Sequence, residues 1–223
     1  MDDESVQYAK AHRKEFLNRV IDSIEPNQEP KSAIFMAGIP GAGKSEVARG
    51  FQTMITNVAR VDADQFREYF PGYHGDNAKD FQRGSSLLVD FVYNKLIDRK
   101  YSVILDATFG FNKALDNVER AVRHGYVVTI CYVCQDPVVA WHFIQGRARA
   151  EGRVVPAEAF INTYYQSRQN FLAAVAKYGE QIDAMIVYKT FDNNIADFSD
   201  SVQNPELVLP PLYSLEELKG AIL

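Results

Sequence analysis

Short apolar runs recur along the chain at residues 33–37, 57–61, 102–106, 127–133 and 184–188. Their length and their polar or glycine-bearing flanks are those of strands buried on both faces. Segments near 4–24, 44–55, 79–99, 112–123, 137–150, 156–177 and 214–222 instead repeat their apolar residues at three- and four-residue intervals, which predicts helices. Because most of these helices fall between strands, the pattern predicts an α/β domain with a five-stranded parallel sheet and helices on both faces.

The ends of the chain read as additions to that core. In residues 1–30 an amphipathic stretch offers Phe16, Val20, Ile21 and Ile24 to the core before Glu29-Pro30 ends it. Residues 31–195 hold every predicted strand. In residues 196–223, Asn204-Pro205 and Pro210-Pro211 mark an irregular connection, and Ser214 followed by Glu217 forms a capping box for a last short helix. A length of 223 residues suits one such domain.

Composition narrows the class. With 47% hydrophobic and 24% charged residues the chain has an ordinary globular balance. No apolar stretch approaches the ~18 residues that span a bilayer, and the acidic start Met1-Asp2-Asp3-Glu4-Ser5 is unlike a secretion signal, so a cytoplasmic protein without membrane attachment is expected. A net charge of −5 supplies no long-range field for a polyanion, which argues against a nucleic-acid partner. Cys131 and Cys134 sit three apart in a strand-type run and should face opposite sides of the sheet, as two small hydrophobic residues rather than a metal pair.

Between the first strand and its helix lies Gly38-Ile39-Pro40-Gly41-Ala42-Gly43-Lys44-Ser45, which fits the phosphate-loop pattern G-x-x-x-x-G-K-[ST] at every fixed position. Such a loop turns its backbone N–H groups toward phosphate oxygens at a helix N-terminus. Lys44 is expected to reach the β- and γ-phosphates, and the Ser45 hydroxyl to ligate Mg²⁺. Residues Gly38, Pro40, Gly41, Ala42, Gly43, Lys44, Ser45 and Glu46 are the expected nucleotide contacts. The nucleotide expected is ATP, with GTP the alternative.

Further chemistry gathers at the carboxyl ends of the next strands, where ligands bind in doubly wound sheets. Asp62 has the spacing from Gln65 of a helix cap, which leaves Asp64 to accept the proton of an attacking hydroxyl. Asp106 and Thr108 end the third strand and should line the same cleft. Arg147, Arg149 and Arg153 follow a helix between the fourth and fifth strands, bracketed by Gly146 and Gly152 as hinges, and could spread over a transferring phosphoryl group. Asp192-Asn193-Asn194 reads as a polar turn, with base recognition as the alternative. The four histidines show no ligand spacing, and Trp141 reads as core.

The ordered set of Gly-x-Pro-Gly-x-Gly-Lys-Ser, Asp-x-Asp-x-Phe-Arg with Pro71 after it, a strand ending Asp-x-Thr, and the arginine run from Arg147 to Pro156 resembles the zeta toxin family of small-molecule kinases over roughly residues 30–195. The resemblance implies a sheet of order 2-3-1-4-5 and transfer of the ATP γ-phosphate to the 3′-hydroxyl of the amino sugar in UDP-N-acetylglucosamine. It also implies a small antitoxin protein as partner. By the same resemblance Asp64 is the catalytic base, Arg147 and Arg153 are lid arginines, and Arg67, Asp106 and Thr108 lie with Asp64 against the sugar nucleotide. The chain departs from the family on the acceptor side. Phe109-Gly110-Phe111 stands where better-known members carry an arginine, and Phe70-Pro71 replaces the usual His-Pro. Competing readings are a polynucleotide 5′-hydroxyl kinase and a non-catalytic nucleotide switch; a base placed for an incoming hydroxyl favours an enzyme over the switch.

Overall fold

All five strand-type runs are strands in the computed structural model of the chain, which describes residues 3–26, 30–152 and 154–223. β1 (Ser32–Ala37), β2 (Val58–Asp62), β3 (Ser102–Asp106), β4 (Val127–Cys134) and β5 (Ile182–Lys189) are parallel in the order β2-β3-β1-β4-β5. A sixth strand, β6 (Ile195–Ser199), turns back antiparallel to β5 and extends the sheet past the expected five. Its apolar residues Ile195 and Phe198 stay exposed at the sheet edge, so no buried face imprinted a strand pattern on this segment.

The helices are α1 (Glu4–Ile21), α2 (Lys44–Met54), α3 (Ala63–Arg67), α4 (Gln82–Asp98), α5 (Ala114–Arg123), α6 (Pro137–Glu151), α7 (Ala157–Tyr178), α8 (Pro205–Val208) and α9 (Leu215–Ile222). Periodicity foretold seven of them. α3 and α8 are single turns, too short to show a period. α4 begins at Gln82, with residues 76–81 before it forming consecutive turns. At the last helix the expected capping box is present, with Glu217 N–H donating to Ser214 Oγ at 3.2 Å and Ser214 N–H to Glu217 Oε2 at 2.7 Å.

Strand residues alternate between two apolar layers. Phe35, Leu105, Ile130 and Tyr132 face the layer built with α1, α4, α5 and the later turns of α7, whereas Met36, Ile104, Cys131 and Val133 face α2, α6 and α9. Cys131 therefore lies in one layer while Cys134 packs against the other, as the strand spacing required. The N-terminal stretch is part of this core. Phe16 and Leu17 of α1 are each 2% exposed, and Phe16 meets Phe66 edge-on with ring centroids 5.4 Å apart. Burial on that scale contributes about 1.5–3 kcal/mol per large side chain. Trp141 is buried against Phe160, the core role expected of it. No described helix is long and apolar enough to cross a membrane.

Candidate active site

The phosphate loop joins β1 to α2 at the carboxyl edge of the sheet. Gly43 caps α2 in a left-handed conformation, φ 84°, which aims the first turn of the helix into the loop. Gly41 also has a positive φ of 79°, and a Cβ there would come within 2.3 Å of the Ala140 carbonyl of α6. Any larger residue would push α6 off the loop. Lys44 is buried, and its Nζ donates to the Ile39 carbonyl at 2.6 Å, so the ammonium is held over the loop it is expected to serve. Ser45 is half-buried in the first turn of α2.

Three acids stand at the ends of β2 and β3, in unlike surroundings. Asp62 and Asp106 are register partners, and Arg60 bridges them from within β2. Arg60 Nη2 donates to Asp62 Oδ2 at 2.8 Å and to Asp106 Oδ2 at 2.6 Å, while Nε donates to the same Asp106 oxygen at 3.1 Å. The side chains of Arg60, Asp62 and Asp106 are only 7%, 10% and 3% exposed. Burial, with the Asp106 and Asp64 carboxylates nearby, pushes Asp62 up to about 6 despite Arg60. Asp62 also caps α3, accepting from the Asp64 N–H at 2.8 Å; the expected cap is there, but its partner is two residues on rather than Gln65.

Asp64 is different. Its side chain is 38% exposed in the first turn of α3, and its carboxylate is steadied by Arg67, one turn later. Arg67 is itself buried and shared with Gln82 of α4, so it acts as a brace between α3 and α4. Arg60 is the functional residue that sequence reading missed. Its signal was a charged residue inside an apolar strand run, two positions before an acid and therefore on the same face of the strand.

Beyond β3, the segment from Ala107 to Phe111 is folded onto α7. The Thr108 carbonyl accepts from Gly38 N–H at 3.1 Å, tying the third strand end to the phosphate loop. Thr108 Oγ1 accepts from Gly110 N–H at 3.2 Å. Phe109 adopts φ 60°, an unfavourable conformation for a bulky residue, and buries its ring against Phe35. A Cβ on Gly110 would lie 3.1 Å from Thr163 Cγ2 of α7. Neither residue places a cation in the cleft, so the departure noted in the sequence is real in three dimensions.

α6 carries Arg147 and Arg149 in its last turns and continues through Gly146, which is helical and not a hinge. Arg147 is exposed. Gly152 ends the helix with φ 72°, and a Cβ there would approach Asp76 to 3.5 Å. The helix that starts against the phosphate loop thus finishes beside the loop after α3, spanning the cleft from the β4 side to the β2 side. Arg153 lies outside the described residues.

Residues Thr190 to Asn194 form the expected polar turn, with Asn193 N–H donating to the Thr190 carbonyl at 3.0 Å. The turn also leans on the nucleotide loop. Lys189, with a side chain 1% exposed, donates to Glu46 Oε2 at 3.1 Å, and Asn193 Nδ2 reaches the same oxygen at 3.4 Å. Glu46 is therefore committed to the β5 turn. Among the described residues no cluster of three or more His, Cys, Asp or Glu could hold a metal ion.

The chain matches the Zeta toxin family over residues 17–203. No curated protein matches it. Among solved structures, one from the PezAT chromosomal toxin-antitoxin system of Streptococcus pneumoniae aligns with a TM-score of 0.64 at 18% identity, covering 100% of this chain and 93% of that one. A chain of the AvrRxo1-ORF1:-ORF2 complex with ATP aligns with a TM-score of 0.51 at 15% identity, covering 92% and 70% respectively. A chain of the Pnkp1/Rnl/Hen1 RNA repair complex aligns with a TM-score of 0.51 at 20% identity, covering 65% and 46%. At these identities the likeness is one of fold. The family match takes in the phosphate loop, both acid-bearing strand ends and the arginine-bearing helix, and the protein belongs to the zeta toxin family, with the fold of a phosphate-loop kinase.

Proposed function

We propose that this protein is an ATP-dependent kinase that phosphorylates a hydroxyl of a UDP-activated amino sugar such as UDP-N-acetylglucosamine. The observation that carries the reading is the division of labour among the three strand-end acids. Asp62 and Asp106 are closed in by Arg60, and Asp64 alone is substantially open. A general base must reach its substrate, and of the three acids Asp64 has the most open side chain.

In this reading the acceptor hydroxyl gives its proton to Asp64 as its oxygen bonds to the γ-phosphorus, and the bond to the β–γ bridging oxygen breaks to release ADP. Lys44 leaves the Ile39 carbonyl to hold the β- and γ-phosphates. The arginine run that holds Arg147 and Arg153 is assigned to offset the spreading charge of the transferring group. Mg²⁺ fits this donor set. With the Ser45 hydroxyl in the loop and, among the described residues, no dense carboxylate cage, the site suits a cation that keeps its waters and takes phosphate oxygens as ligands. It would neutralise charge on the β- and γ-phosphates.

The amino-sugar assignment rests on the family and on a net charge of −5 that does not favour a polynucleotide; Asp106, closed in by Arg60, would shape the strand end rather than touch the sugar. A small antitoxin as inhibitory partner and a cytoplasmic location follow from the same reading. The test is to incubate the purified protein with ATP and Mg²⁺ together with UDP-N-acetylglucosamine, UDP-N-acetylgalactosamine, UDP-glucose or 5′-hydroxyl oligonucleotides, and to follow added phosphate by mass spectrometry. Phosphate on an amino-sugar nucleotide is the expected result. Phosphate on oligonucleotide ends alone would transfer the assignment to a polynucleotide kinase.

A further inference from the structure

α7 meets the site with two polar residues on a face that is otherwise apolar. Ser167 is fully buried, and Asn170, one turn on, is 8% exposed. Ser167 Oγ donates to the Thr108 carbonyl at 2.7 Å and accepts from Gly38 N–H at 2.8 Å. Gly38 N–H lies 3.1 Å from that same Thr108 carbonyl, so one hydroxyl closes a three-way hydrogen-bonded junction between the phosphate loop, the end of β3 and α7. Asn170 continues it. Its Nδ2 donates to the carbonyls of Phe109 at 2.7 Å and Phe111 at 3.2 Å, and its Oδ1 accepts from Gln166 Nε2 at 2.8 Å.

The chemistry of these bonds is selective. The first backbone N–H of the phosphate loop is turned away from the phosphates and spent on the acceptor-side segment instead. The carbonyls of Thr108, Phe109 and Phe111 are each paired by a side chain of α7, and Phe111 shares its oxygen with the Ala114 N–H of α5 at 3.1 Å. Phe109 needs such support, because its left-handed backbone persists only where surroundings impose it.

We propose that Ser167 is a positioning residue that registers the acceptor-side loop 108–111 against the phosphate loop, so that a nucleotide seated on the first also orders the second. Its consequence for turnover rests on the kinase reading above; its consequence for loop order does not. Hydrogen exchange of the wild-type protein with and without Mg²⁺ and ATP tests the second point with no acceptor present. ATP should slow exchange at residues 38–45 and at 108–111 together. In Ser167→Ala it should slow only residues 38–45. Asn170→Asp, which is isosteric and lacks the donor, should likewise uncouple residues 109–111. Gln169→Ala, exposed on the same helix, should behave as wild type.

With the acceptor identified, Ser167→Ala should lower kcat about ten- to a hundredfold, the scale of a small misplacement of reacting groups. Its ATP affinity should change by less than about threefold, since the loop N–H groups aimed at phosphate are untouched. A larger share of ATP should be hydrolysed without transfer. Joint protection of both loops in Ser167→Ala, or no protection of 108–111 by ATP in wild type, would overturn the proposal. So would a kcat loss matched by an equal loss of ATP affinity and melting temperature. Failure of every acceptor with the exchange pattern intact would instead count against the kinase reading alone.

Discussion

The phosphate-loop half of the cleft and the half at the ends of β2 and β3, which the proposed function gives to the acceptor, solve the same problem, a buried charge, by different means. In the first, eight consecutive residues suffice: Lys44 is held by the Ile39 carbonyl five residues before it, and positive-φ glycines set the curve of the loop. In the second, Asp106 is held by Arg60 from a neighbouring strand, 46 residues away, and the loop beyond it by Ser167 and Asn170 from a helix about 60 residues further on. The local solution leaves a sequence signature and tolerates little change. The distributed one leaves almost none, because each of its bonds joins groups that the packing of β2, β3 and α7 brings together.

That contrast can be broken experimentally. Arg60→Met should be the most damaging change to stability. It strands two buried carboxylates, at a cost of about 3–5 kcal/mol near neutral pH. Chemical denaturation should show the deficit shrinking as pH falls and Asp62, whose carboxyl burial pushes up to about 6, takes up its proton. A variant of wild-type stability would mean that Arg60 does not hold the acceptor half together.

Lys44→Ala should leave the melting temperature nearly unchanged and lower turnover by about 10²–10³-fold, the usual scale for removing one preorganised charge partner of the transition state. The two variants thus separate the halves: one loses the fold and the other loses the chemistry. Asp64→Asn should cost at least about a hundredfold in single-turnover rate, as for a lost general base. If Asp62→Asn proved the slower enzyme of the two, the roles of these acids would be exchanged.

The smallest effect sharpens the comparison within the acceptor half. Folded Asp62 titrates near 6 against 3.8 for an ordinary aspartate, so across that interval the folded state keeps a proton the unfolded chain has released. Stability from this group therefore falls as pH rises from about 4 to 6. Asn caps a helix as well as Asp does, so Asp62→Asn should keep α3 and lose that slope. Melting curves between pH 4 and 7 for both proteins measure it.

From the sequence alone came the strand and helix periods, the phosphate loop with its neighbours, and Asp62 as a cap with Asp64 beyond it. These are properties of contiguous residues: burial on both faces makes a strand uniformly apolar, one-sided burial gives a helix its period, and a phosphate loop needs glycine and lysine at set places. The edge strand β6 escaped because nothing covers it. Only the tertiary structure decided that Arg60 neutralises Asp62 and Asp106, that α6 runs on through Gly146 to cross the cleft, that Phe109 turns into the core, and that α7 bonds both loops. Apart from the Arg60–Asp62 pair and the course of α6, these are contacts between residues far apart in the chain. Hydrogen bonds and ion pairs depend on distances of a few ångströms, and no spacing along the sequence records which distant groups the packed layers bring that close.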